Sequence, residues 1–93
     1  QQRQAKRTLL DALIKNKVGY ILSTLGLNAE AKNLDKSYLV SNFVFLKSKL
    51  DQKINALIGI EKNMRNEMTI EQIELAISSI EQIAEHIILE EKK

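Results

Sequence analysis

The chain has no cysteine, no proline, no tryptophan and only three glycines among its 93 residues. Without cysteine there are no disulfides, no thiolate metal sites and no cysteine nucleophile. Without proline, and with so little glycine, the repeated tight turns of a sandwich or barrel have nothing to build on, which excludes a turn-rich all-β fold. Aromatic side chains are limited to Tyr20, Tyr38, Phe43 and Phe45, too few and too clustered for a base-stacking platform. No apolar run reaches the ~18 residues that a membrane span requires, and no leader-like pattern opens the chain. By elimination a cytoplasmic location is expected, and the lack of cysteine fits it. The first residue is Gln1 rather than Met, the start expected of a fragment or a processed chain.

What remains is rich in aliphatic side chains: 13 Leu and 12 Ile, within an apolar fraction of 44%. That is enough for one hydrophobic core, in a chain longer than the ~70–80 residues below which small folds usually need staples. Charged residues make up 28% but the net charge is only +2, so the chain is not a polyelectrolyte tail. A single globular domain over residues 1–93 is expected.

The apolar positions recur with helical spacing. Leu10, Leu13, Ile14, Ile21, Leu22 and Leu25 fall on one face, which predicts a first helix over about residues 2–25. Gly26 followed by Leu27 supplies its stop, because glycine adopts the left-handed closing conformation and the next apolar residue folds back on the last turn. Residues 28–37 are polar and read as a connection holding a short helical turn, anchored by Leu34, with Asp35 or Ser37 as the cap of the next helix. That helix is expected over about 38–58. Its opening block YLVSNFVFL would suit a strand alone, but Leu39, Phe43, Leu46, Leu50, Ile54 and Leu57 keep helical spacing. Gly59 and Ile60 repeat the stop, the alternative being a helix that passes through Gly59 to about Arg65.

The third helix, over about 70–91, has the best-defined start. Thr69 and Gln72 stand at capping-box spacing, and Met68 and Ile73 at the two staple positions. Ile70, Ile73, Ile77, Ile80, Ala84 and Ile87 then alternate steps of three and four, a coiled-coil-like seam with Ile83 and Ile88 beside it. The expected fold is an all-α, up-down-up bundle of three helices with that third helix as its coiled-coil-like member.

Charge is distributed unevenly. Residues 1–20 carry Arg3, Lys6, Arg7, Lys15 and Lys17 against Asp11, a balance of +4, whereas residues 66–91 carry seven acidic residues and no Lys or Arg. The acidic row reads as a solvated face whose counter-charges come from the other helices, within the domain or between subunits. Arg3, Lys6 and Arg7 are candidate phosphate contacts, although cations at one helix end position a nucleic acid without reading it. The segment TIEQIELAISSI lacks the break that would make it a helix-turn-helix.

No catalytic or cofactor constellation is present. His86 is the sole histidine, and the Glu-x-x-His pattern of bundle metal sites fails because position 83 is Ile. Glu85 beside it diverges by about 100° around the helix. Glu90, one turn on, makes a pair but not a site, so no enzyme activity, metal or cofactor is expected.

The feature that exceeds the needs of a single three-helix core is apolar surface. Helix two is apolar around most of its circumference between Tyr38 and Leu46, and helix three places Leu75, Ile83, Ile88 and Leu89 outside its seam. The expected function is therefore a self-association or protein-interaction module forming a dimer or tetramer, with Ile70, Ile73, Ile77, Ile80, Ile83, Ile87 and Ile88 at the interface. The alternative is a small nucleic-acid-binding domain that uses the basic first helix.

The Leu-rich first helix ending in Leu25-Gly26-Leu27, the polar linker and the amphipathic segment 38–58 together resemble the helical C-terminal region of relaxosome accessory proteins of bacterial conjugative plasmids. The resemblance covers about residues 1–60. It implies a tetrameric helical domain that contacts the transfer machinery, with DNA bound through another part of the protein; no functional residue carries over.

Overall fold

In the computed structural model, which describes residues 2–61 and 64–93, the elements are α1 (Gln2–Leu25), α2 (Asn42–Ile58), a 3₁₀ turn (Arg65–Glu67) and α3 (Ile70–Glu91). There is no strand among the described residues. All three helices contact one another, α1 and α3 most extensively. The long dimension of 39 Å is set by α1, whose 24 residues rise about 36 Å. Lys6 meets Glu74 and Tyr20 meets Glu85, so α1 and α3 run in the same direction. Lys49 near the start of α2 meets Glu91 at the end of α3, so α2 runs against both.

Each helix offers one stripe to a common core: Leu10, Ile14, Val18, Ile21 and Leu22 from α1, Leu46, Leu50, Ile54 and Ile58 from α2, and Ile73, Ala76, Ile80, Ala84, Ile87 and Ile88 from α3. In α3 the buried stripe takes in Ala76, while Ile70 and Ile77 lie toward its edge, half-buried. Ile88, expected outside the seam, is buried within the single chain, and Ile83 beside it is half-buried.

Two helices end in the same way. Gly26 and Gly59 take left-handed φ values of 68° and 74°. The following Leu27 and Ile60 donate their N–H groups back to Leu22 and Asn55 carbonyls, 2.9 and 3.0 Å away. This six-to-one closure satisfies carbonyls that the helix leaves open and folds an apolar residue onto the last turn. With Gly59 so placed, α2 does not continue. The part of the longer alternative over Lys62 and Asn63 lies outside the described residues. At α3, Thr69 Oγ accepts from the Gln72 N–H and the Gln72 side chain accepts from the Thr69 N–H, completing the capping box.

The start of α2 differs from the sequence expectation. The helix begins at Asn42 rather than residue 38, capped by Ser41, whose Oγ accepts the Val44 N–H at 3.2 Å. Asp35 is not a helix cap. Its carboxylate accepts the N–H groups of Ser37, Leu39 and Val40, which turns residues 35–40 into a tight elbow. Tyr38 sits at its corner with φ 58°, a left-handed conformation that no helix can pass through. The connection holds turns and bends but no helical turn, and Leu34 packs against the core.

Candidate interaction surface

The elbow leads directly into α2, and both carry exposed uncharged side chains. Tyr38 and Leu39 project from the elbow 68% and 75% exposed, the two most exposed large hydrophobic residues described. Beyond them Val44, Ser48, Gln52 and Ala56 follow one another every four residues along the outside of α2, all exposed and all uncharged. A hollow flanks this strip on each side. The larger, about 1010 Å³, lies toward α1 and is lined by charged side chains, Asp11, Lys15, Lys47 and Asp51 among them, as well as by Ile14 and Ile60. The smaller, about 350 Å³, includes Val40, Val44 and Phe45.

Behind the elbow stands Asn42, fully buried and the only buried polar residue among those described. Its Nδ2 donates to the Asn28 carbonyl at 2.8 Å and to Asn33 Oδ1 at 2.7 Å, and its Oδ1 accepts the Leu34 N–H at 3.1 Å. The backbone N–H groups of Asn42 and Phe43 donate to Ala31 and Ala29. The first turn of α2 thus serves as a template on which residues 28–34 fold. Hydrogen bonds from Leu39 and Val40 hold the Asp35 carboxyl below its ordinary value, with Ser37 adding to the effect and desolvation opposing it.

The charges beside the strip are engaged within the chain. Toward α1, Lys47 pairs with Asp51 at 3.0 Å, and Arg65 reaches the same carboxylate at 3.2 Å. Toward α3, Lys49 meets Glu90 at 3.0 Å and Glu91 at 2.6 Å, and Lys53 meets Glu90 at 3.2 Å. Hydrogen bonds from Lys49 and Lys53 push Glu90 down from 4.5 to about 2. Burial works to lower Lys49, but its bonds to Glu91 and Glu90 prevail and raise it. Part of the acidic row on α3 therefore finds its counter-ions within the domain.

The chain matches no protein-family model, no curated protein and no solved structure.

The residues singled out from sequence separate into groups. Ile73, Ile80, Ile87 and Ile88 lie in the chain's own core, whereas Ile70, Ile77 and Ile83 are half-buried at its margin. The three candidate phosphate contacts, Arg3, Lys6 and Arg7, are half-buried and engaged within the bundle. Arg3 donates to the carbonyls of Met68 (2.7 Å) and Asn66. Arg7 donates to the Arg65 carbonyl at 2.8 Å and approaches Asp11 at 3.3 Å, and Lys6 pairs with Glu74 at 3.0 Å. The Arg3 and Arg7 bonds to backbone carbonyls bind the start of α1 to the turn that precedes α3, and Lys6 binds it to α3 itself. They also set acceptors against cations at a helix N-terminus, where the dipole is unfavourable to positive charge. His86 is exposed, 3.3 Å from Glu90. No group of three or more metal-ligating side chains converges among the described residues, and no helix there is long and apolar enough to cross a membrane.

Sequence reading missed the elbow and Asn42. The signal for the latter was present as a single Asn inside an otherwise apolar block, directly after a Ser suited to capping.

Proposed function

We propose that this chain is a non-enzymatic helical module whose work is self-association. The observation that carries the reading is the Tyr38–Leu39 elbow. Its two large apolar side chains are held out in water by a carboxylate and a strained backbone. The resemblance of residues 1–60 to relaxosome accessory proteins extends the proposal to an oligomerisation domain of a DNA-processing accessory protein. The phosphate-binding alternative is disfavoured because Arg3, Lys6 and Arg7 already have partners inside the bundle.

The buried isoleucines of α3 are assigned to folding, and the partly exposed Ile70, Ile77 and Ile83 remain available at its edge. Light scattering coupled to size exclusion, run from micromolar to millimolar chain, is expected to show a mass that rises above 10.6 kDa with concentration. A constant monomer mass across that range would refute the reading. Ile80→Asp places a charge in the core and is expected to abolish far-ultraviolet helicity rather than release folded monomers.

A further inference from the structure

The three most exposed large hydrophobic residues described are Leu39, Tyr38 and Leu89, at 75%, 68% and 63%. All three stand at one end of the bundle. Lys49, near the start of α2, meets Glu91 at the finish of α3, so the elbow and the last turn of α3 share that end. None of the three lines either hollow beside α2; they project.

The charge left over at the same end is basic. Asp35 is taken up by backbone N–H groups, and Glu90 and Glu91 by Lys49 and Lys53. Lys32 and Lys36 on the connection, and Lys92 and Lys93 after α3, are exposed. None of these four has a carboxylate within ion-pair distance among the described residues. Against them stands the exposed Glu30.

We infer that this end of the bundle docks on the surface of an anionic lipid bilayer, with Tyr38, Leu39 and Leu89 entering the boundary between headgroups and acyl chains and the four lysines against the lipid phosphates. Charge complementarity selects the anionic surface, and the apolar projections select lipid. A fluid bilayer accepts separate projecting side chains without a cavity shaped to fit them. Tyrosine, apolar along its ring and polar at its tip, suits that boundary. Lysine stems keep their ammonium groups at phosphate level while apolar neighbours sit deeper. A nucleic acid would engage the lysines and leave Leu39 and Leu89 in water. The docking is peripheral, since no helix described is long and apolar enough to cross a membrane. It goes beyond self-association, and because both contacts would use the elbow they are alternatives.

The chain has no tryptophan, so one can be placed as a reporter. Leu39→Trp stands at the proposed contact, whereas Leu57→Trp is exposed at the opposite end of α2. On vesicles of phosphatidylcholine mixed with phosphatidylglycerol, the emission of Leu39→Trp is expected to shift to the blue and that of Leu57→Trp to stay. In sedimentation with the same vesicles, Lys36→Gln and Lys92→Gln should each weaken partitioning about fivefold. Leu89→Ser should weaken it too, and Lys15→Gln, exposed on α1, should leave it unchanged. Binding should fall with salt and on vesicles of phosphatidylcholine alone. No partitioning onto the anionic vesicles, or equal blue shifts from both tryptophans, would overturn the inference. Salt-sensitive binding to duplex DNA without vesicle binding would overturn it as well and assign the lysines to nucleic acid. Self-association is read separately, from the mass without lipid, so either proposal can fail while the other stands.

Discussion

Asn42 shows how one side chain can organise a segment that has no regular structure. A buried amide is tolerated only when its donors and acceptor are satisfied, and here one residue joins Asn28, Asn33 and Leu34 to the first turn of α2. Asp35 performs a similar task on the other side of the elbow with backbone N–H groups as partners. Replacing Asn42 with Ala leaves the Leu34 N–H and the Asn28 carbonyl without their partner, at an expected cost of about 2 kcal/mol. The loss should appear as a lower denaturation midpoint, together with faster amide exchange at Leu34. Equal exchange at Leu34 in variant and parent would show that the connection holds itself. The sequence marked Asn42 as unusual but not its partners, because a polar residue in an apolar run looks the same whether it faces water or three hidden partners.

At the scale of the element, the helices were legible wherever local chemistry decides. The bounds of α1, the closures at Gly26 and Gly59 and the capping box at Thr69 all depend on residues within five positions of one another. The start of α2 was not, since the continuous apolar spacing from Leu39 to Leu57 hid a carboxylate that competes for the backbone donors of the same stretch. Leu39 consequently sits in water; at the other end Leu57 is half exposed and Ile58 takes the buried place in the stripe. The place of Ala76 in the α3 stripe was also hidden, because the three-and-four spacing of the isoleucines ran past it. Within α1, Gly19 has open space where a Cβ would stand and no left-handed backbone to require glycine. Gly19→Ala should therefore stabilise the chain by up to ~1 kcal/mol through helix propensity alone. A raised melting temperature with unchanged association is the expected result. A loss of association would instead mark the outer side of α1 as a contact.

At the scale of the molecule, acidic α3 is bound to its neighbours at both ends. Lys6 holds Glu74 near its start, and Lys49 and Lys53 hold Glu90 and Glu91 near its finish. The finish matters more to cohesion, because two glutamates at a helix C-terminus oppose the dipole and need cations from α2 to be tolerated. Glu90 titrates in the unfolded chain near 4.5 and in the folded chain near 2. The folded state therefore binds this proton less readily, so the contribution of Glu90 is complete above pH 4.5 and declines as pH falls toward 2. Stability measured by urea titration should decrease across that window, and Glu90→Gln should flatten the decrease while lowering stability at pH 7. High salt should weaken the effect, as expected for partly exposed ion pairs. If Glu90→Gln and the parent show parallel stability curves from pH 5 to pH 2, the clamp between α2 and the end of α3 does not contribute to holding the bundle together.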